Sequence, residues 1–429
     1  MAVNWSVKLL KTVSSLPSAW VQGTVVRLCD NAPLRRHLER RETRLLAGMG
    51  EPKAILLVAD VNLGDSINIQ AVARMLRRHF PEARLDYVHS IVAAPLIRHN
   101  PHISHSVPLF KGGFYPSPEQ VGQLADRVRR HRYDLVLNFC PFLDEHKIAA
   151  DDAVLVSPLA LTAHIIHRAC NGADQMAHLI PNMTSYVERL VLNGRASAEA
   201  DGPVRGATIY LPADAAQERD RWLREQGIPA DCRPAFLNPD ASNRYTFVNE
   251  DLQIELLRNL LSEPECRRVL LGSGFTFQGV EERLLEGLSP ALRRKVTVVP
   301  DTLPIDVYAA LTDACAVYMT ADTGPMHIAA AAKECPDRAG VFANRTTLAG
   351  LFGATLPRVY GYDSERPGCL PANQNAPSRV FQGACPRKSL VCSVERITQH
   401  CSGDECFRGL NVDRVARFAL QCLAASEDG

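Results

Sequence analysis

The chain has 429 residues, enough for two or three domains with large cores, and its 46% apolar and 22% charged content is that of an ordinary globular protein. A net charge of +1 argues against a nucleic-acid-binding surface. No run of about 18 apolar residues occurs, so no transmembrane helix is expected.

Residues 1–50 read as a separate helical leader. Lys8 and Lys11 interrupt its apolar stretch and Pro17 follows, which is not the pattern of a signal peptide, so a cytoplasmic protein is expected. Residues 7–26 are mildly amphipathic, and residues 35–44 carry five arginines beside two glutamates. That basic piece has two readings: peripheral contact with the anionic inner face of the cytoplasmic membrane, or a solvated helix packed on the main body.

The apolar run at 54–58 predicts a buried parallel strand. Residues 60–65 form a loop with Gly64. Ser66 is expected to cap a helix with Ile67, Val72, Met75 and Leu76 on its inner face, and a strand follows at 84–88, after Pro81. This is a β-α-β unit, for which a right-handed crossover is expected. Residues 133–138 and 153–156 are further strands, with Asp144-Glu145-His146 between them. His164 and His167 share a helix face and could bind metal, though spacing places no third ligand; His178 adds another imidazole. The acidic, Gly- and Pro-bearing residues 198–206 read as surface loop, followed by a strand at 207–211 and a helix at 213–226.

A second α/β unit begins at Pro234-Ala235-Phe236-Leu237-Asn238-Pro239. It continues with a helix at 250–261, a strand at 268–271 ending in Gly272-Ser273-Gly274, a strand at 296–299, and a helix to Thr312 capped by Asp301-Thr302-Leu303-Pro304. A lone Gly-x-Gly lacks the full dinucleotide spacing. Next comes Ala316-Val317-Tyr318-Met319-Thr320-Ala321-Asp322-Thr323-Gly324-Pro325-Met326-His327, then an alanine-rich run to Ala332. It reads as strand, tight turn and helix, with Pro325 at the first helical position. Such a junction directs backbone N–H groups and the positive end of the helix dipole at the turn, making an anion site with Asp322 free to bind sugar hydroxyls; the bland alternative is a well-capped helix without ligand.

Asp322-Thr323-Gly324-Pro325-Met326-His327-Ile328-Ala329 resembles the donor signature of the family 9 glycosyltransferases, which include the lipopolysaccharide heptosyltransferases. The resemblance covers most of residues 53–415 in order. It includes the Leu63-Gly64-Asp65 loop, Phe80-Pro81-Glu82-Ala83-Arg84, Asn100-Pro101-His102-Ile103 and Asn238-Pro239-Asp240-Ala241-Ser242. It implies a GT-B fold: two facing Rossmann-like domains with parallel sheets and an inter-domain cleft. It also implies inverting transfer of a sugar from a nucleotide diphosphate carrier, by family default ADP-heptose, to a lipopolysaccharide-core or similar glycan. Asp65 falls at the catalytic base position. The donor would be held by Asp322, Thr323, Gly324, by His327 as a contact or a buttress, by Arg244 on the phosphates, and by Glu281 or Glu282 on the ribose. The chain departs from the family at Ala59, where an arginine is usual, and at Thr246-Phe247 in place of Trp-Pro. Phe342-Ala343-Asn344-Arg345-Thr346 and Phe352-Gly353-Ala354-Thr355 compete for the family's Phe-Gly-Pro-Thr.

No cofactor is required for this chemistry, and no Asp-x-Asp motif occurs. A protein O-heptosyltransferase is a close alternative. A non-catalytic nucleotide-sugar-binding scaffold is an alternative of another class, and a flavin or nicotinamide oxidoreductase lacks its fingerprint. Of thirteen cysteines most of the first seven have apolar neighbours. Cys385, Cys392, Cys401 and Cys406 lie in a Pro-, Gly- and Ser-rich tail, where a structural zinc or iron site, free thiols and disulfides all remain open. The expected division is a leader at 1–50, an acceptor domain at 51–230, a nucleotide-sugar domain with its Cys-rich tail at 231–405, and a helix at 406–429 packing back across the domains.

Overall fold

The computed structural model describes residues 32–59, 62–111, 116–140, 143, 148, 153–156, 178–191, 206–353, 355–384 and 405–427. Residues 7–26, Asp144-Glu145-His146, His164, His167, Cys385, Cys392 and Cys401 lie outside the described residues.

The chain divides into two compact units between Ala207 and Thr208. The first contains α1 (Ala32–Ala47), β1 (Ala54–Val58), α2 (Leu63–Asn68), α3 (Gln70–His79), β2 (Arg84–Ser90), a 3-10 turn (Ile91–Ala93), α4 (Ala94–Ile97), β3 (His105–Phe110), α5 (Pro118–His131), β4 (Leu135–Asn138), β5 (Val154–Val156) and α6 (Leu179–Leu190). The second contains β6 (Thr208–Tyr210), α7 (Ala213–Glu225), β7 (Ala235–Asn238), α8 (Glu250–Leu261), β8 (Val269–Gly272), α9 (Val280–Glu286), α10 (Pro290–Arg293), β9 (Val296–Val299), α11 (Ile305–Ala314), β10 (Val317–Ala321), α12 (Gly324–Ala330), β11 (Ala332–Glu334), β12 (Thr347–Phe352), α13 (Pro357–Tyr360), β13 (Ser378–Gln382) and α14 (Val412–Glu427).

Both main sheets are parallel. In the first unit the order is β3-β2-β1-β4-β5; in the second it is β13-β12-β10-β7-β8-β9. The chain therefore builds each sheet outward from its first strand, then returns to the other side of that strand. The reversal points lie between β1 and β4 and between β7 and β10, and such points are where open α/β sheets bind ligands at their carboxyl ends.

The sequence pattern explains the burial. In the second unit neighbouring strand residues serve opposite faces: Leu237, Leu271 and Met319 join one buried cluster, and Phe236, Leu270 and Tyr318 the other. Helix α14 is built into the first of these clusters through Val415, Phe418 and Ala419 and packs on α8, β10 and β12. Its inner face is thus part of the core of the second unit. In the first unit Leu56, Val58, Val88, Leu124, Val128 and Val136 form the core under α5. Asp86 of β2 pins that helix: its carboxylate accepts from Tyr133 Oη at 2.6 Å, from Arg127 Nη2 at 2.8 Å, and lies 2.7 Å from His105 Nδ1. Burial would raise the Asp86 carboxyl, but these three partners hold it below its ordinary value.

The unit boundary differs from the expected 230/231. Thr208–Tyr210 reads locally as one more strand of the first domain, yet it pairs in parallel with β11, and α7 packs on α11 of the second unit. Helix α1 packs on β5 and α6: Tyr186 Oη donates to the buried Glu42, and Leu46 is buried one turn on, while Arg36, Arg40 and Arg44 are exposed along the helix. Residues 32–47 thus form a helix packed on its own unit that keeps an exposed basic row. Ser66 is not a cap. Helix α2 starts three residues earlier, after Asn62, and the Ser66 hydroxyl instead donates back to Asn62 O at 2.9 Å. Pro304 stands at the cap position of α11 with no side-chain cap bond, and that helix runs to Ala314.

Candidate active site

At the reversal point of the first sheet, β1 continues through Ala59, whose N–H donates to Val88 O at 2.8 Å. Ala59 is fully buried, so its side chain offers no contact to a ligand in place of the family arginine. Extended backbone at Asn62 then turns the chain into α2, which places Asp65, half-buried, in the helix's first turn. Two bonds to Ser66 fix this short helix against β2. Besides its bond to Asn62, the Ser66 hydroxyl accepts from Ser90 N at 3.1 Å, and Ser66 O accepts from Tyr87 Oη at 2.7 Å. Burial, and then the nearby Asp65 charge, push the Tyr87 hydroxyl well above its ordinary range. It therefore stays a donor, holding Asp65's helix in place. Across the reversal point, Asn138 ends β4 and folds its amide onto Cys140 N and O.

In the second unit β10 ends at Ala321, Asp322 is half-buried, and buried Thr323 sits in extended backbone as the N-cap of α12. Gly324 takes the first helical position and Pro325 the second, one residue later than the sequence placed it. In its first turn Pro325 has no N–H and Met326 N donates to Thr323 O at 3.1 Å, which leaves Gly324 N as the first-turn group without an intrahelical acceptor. The junction is tied to β7: Asn238 Nδ2 donates to Thr320 Oγ1 at 3.0 Å and to Asp240 O at 3.1 Å, and the Thr320 and Thr323 hydroxyls are 3.5 Å apart.

The alanine run does not continue as helix. Ala331 is extended and residues 332–334 form β11. Pairing with β6 outweighs the alanine preference, and the freed carbonyls find partners: Lys333 Nζ donates to Ala329 O at 3.1 Å, Gln374 Nε2 donates to Ala329 O at 3.1 Å and to Ala331 O at 2.5 Å, and Asn373 N donates to Ala330 O at 2.7 Å.

His327 is 6% exposed and its Nδ1 lies 2.9 Å from Tyr362 Oη, with the rings edge to face. Burial lowers the imidazole to about 4, so it is neutral near pH 7. Burial, and then the Asp322 charge, raise the Tyr362 hydroxyl. The Tyr362 hydroxyl thus bonds the His327 ring and lies within electrostatic reach of Asp322. Tyr362 is 35 residues from His327 in sequence, and no local pattern marks it.

Arg244 lies on the turn after β7, exposed, with its guanidinium 6.0 Å from the Tyr245 ring centroid and no ion pair among the described residues. Glu281 of α9 is engaged within the protein: its Oε2 accepts from Gly274 N at 2.9 Å, while Glu282 is exposed. Asp240 carries a role that the sequence did not show. Its carboxylate accepts from the N–H groups of Phe275, Thr276 and Phe277 at 2.9, 2.9 and 3.0 Å, fixing the loop that follows β8. Phe352 ends β12 and Gly353 follows it at the carboxyl edge of the sheet, whereas residues 342–346 precede that strand.

Cys406 is buried against Gly353, where a Cβ would approach its own Cβ to 2.9 Å. Among the described residues no group of three or more His, Cys, Asp or Glu side chains is placed to hold a metal ion, and no helix is long and apolar enough to cross a membrane. Cys140, Cys232, Cys266 and Cys315 are buried, as their apolar contexts implied.

No family model matches the chain, and no curated protein matches it. Solved structures do. The ADP-heptose lipopolysaccharide heptosyltransferase II of E. coli superimposes with a TM-score of 0.58 at 15% identity, over 88% of this chain and 100% of that one. A family 9 glycosyltransferase from Veillonella parvula DSM 2008 superimposes with a TM-score of 0.61 at 16% identity, over 87% and 97%. The likeness is one of fold, and it agrees with the GT-B class expected from the sequence.

Proposed function

We propose that this chain is an inverting glycosyltransferase that moves a sugar from a nucleotide diphosphate carrier to a glycan. One observation carries the reading: Asp322, Thr323 and Gly324 stand where β10 meets α12, at the reversal point of a parallel sheet, tied through Thr320 to Asn238 at the end of β7. In this reading the N–H groups of Thr323 and Gly324 and the Arg244 guanidinium stabilise the charge that develops on the departing diphosphate. Asp322 binds hydroxyls of the transferred sugar. Asp65 accepts the proton of the attacking acceptor hydroxyl, which lets one displacement step proceed with inversion. Heptose carried on ADP and a lipopolysaccharide-core acceptor are the specific substrates we assign, by likeness to the E. coli ADP-heptose lipopolysaccharide heptosyltransferase II.

The test begins with thermal shifts against nucleoside diphosphates and their sugars. A ligand at 100 times its Kd adds about 2.7 kcal/mol to stability. Transfer from ADP-heptose to a lipopolysaccharide-core acceptor is then compared between wild type and Asp322→Ala. The variant should lose most turnover and bind donor more weakly. Wild-type transfer by Asp322→Ala, or no stabilisation by any nucleoside diphosphate, defeats the reading.

A further inference from the structure

Resting on that reading of the donor site, we infer that Phe275 is the platform on which the nucleobase of the donor stacks. Phe275 is 78% exposed, the most exposed large apolar side chain among the described residues. Its backbone is nevertheless held firmly. Four successive N–H groups, from Gly274 to Phe277, are bonded to carboxylates: the first to Glu281, the other three to Asp240. Gly274 permits the tight fold, since a Cβ there would lie 2.1 Å from Phe277 O. Phe277 turns inward and stacks on Phe247, with centroids 4.2 Å apart and planes 28° from parallel. The loop therefore packs one half-buried ring inward and holds another in solvent on a fixed backbone.

An ordered loop that presents a bare aromatic ring is arranged for a flat ligand. The position selects which ligand. Strand β8 is next to β7, and β7 next to β10, so the loop lies two strand spacings, about 10 Å, from the turn at Asp322 along one sheet edge. That separation suits a nucleotide whose diphosphate lies at the α12 turn and whose base extends toward β8. The same contacts link the two ends physically: Thr323 to Thr320, Thr320 to Asn238, then the Asp240 turn to the Phe275 loop. Stacking on an open ring face is tolerant of base identity, so this platform supplies affinity, and base choice falls to the polar groups around it.

The experiment measures binding of ADP, ADP-heptose and inorganic pyrophosphate to the full chain by calorimetry, for wild type, Phe275→Ala and Phe275→Trp. Phe275→Ala should weaken ADP and ADP-heptose about ten-fold, within the range found when an aromatic platform under a base is removed, and leave pyrophosphate unchanged. Phe275→Trp should restore ADP affinity and show nucleotide-dependent quenching absent from wild type. Unchanged ADP affinity in Phe275→Ala overturns the inference. So does an equal loss for pyrophosphate, which would mean that the ring only shapes the loop, or a loss confined to ADP-heptose, which would place the sugar on the ring. Wild-type protein that binds neither ADP nor pyrophosphate defeats the donor-site reading itself, and this inference with it.

Discussion

Replacing Asp240 by alanine isolates what one carboxylate does for the loop after β8. The variant loses the acceptor for three backbone N–H groups at 2.9, 2.9 and 3.0 Å. Bonds to a charged group contribute up to about 3 kcal/mol when buried, but two of these three are exposed and water replaces the lost oxygen there. We therefore assign about 0.5–1 kcal/mol to each bond, or about 2 kcal/mol together. In a domain of this size that lowers Tm by about 4–8 °C. Locally, the loop amides should exchange about 30-fold faster, the same free energy expressed as a ratio. Hydrogen exchange followed by mass spectrometry reads residues 273–279 directly, and calorimetry reads Tm. Asp240→Asn should fall between the two, since its amide keeps one acceptor oxygen without the charge. If Asp240→Ala exchanges like wild type in this loop and melts at the same temperature, the carboxylate is not what orders it.

Asp65→Asn keeps the shape of α2 but removes the proton acceptor; turnover should fall by about 10²–10⁴ with near-normal donor affinity, and a parallel loss of affinity would make Asp65 structural. His89 and His327 are both held to about 4 by burial, against an ordinary value of 6.5. Each is neutral when folded, so stability is full above pH 6.5 and declines as pH falls toward 4, by roughly 2 kcal/mol per histidine at pH 5. Asp86, whose carboxyl is lowered from 3.8, adds its own loss only below that value. Urea midpoints at pH 7.5 and pH 5 test this, and His327→Gln should flatten the difference; an equal slope in the variant contradicts it. Exposed Arg36, Arg40 and Arg44 leave a basic row on α1, and replacing all three by glutamate should abolish co-sedimentation with anionic vesicles while leaving transfer to a short soluble acceptor intact. Undiminished sedimentation removes the membrane role of this helix.

The β10-turn-α12 junction was legible because its signals are local: an apolar run, a polar turn with glycine, and a proline that can begin but not continue a helix. The pairing of strands into two parallel sheets followed from the same alternation. What local reasoning missed was set at long range. The alanines after Ile328 favour helix by propensity, but Ala332–Glu334 forms a strand because β6 pairs with it. That same pairing moved the unit boundary to Ala207. Asp240 looked like one residue of a family turn, yet its partners lie 35 to 37 positions away. Ser66 had the composition of a cap but stands inside α2, because Ser90 and Tyr87 of β2 hold it there. Arg244, named from its place after β7, is exposed and without an ion pair among the described residues.

The place of α14 in the second unit bears on how the protein is made. Val415, Phe418 and Ala419 share a cluster with Leu237 of β7 and Met319 of β10, and Asn259 of α8 donates to Asp413 at 2.9 Å. On the ribosome the first unit has all its strands long before residue 412 emerges, and it can fold while synthesis proceeds. The second unit cannot close its core until α14 is out of the exit tunnel. The strand that leads into Asp322 is thus among the last parts to be secured, and an unfinished chain should carry an ordered first unit beside an incomplete donor half. Such nascent chains would expose the inner face of β10 and β12, the surface a chaperone would meet.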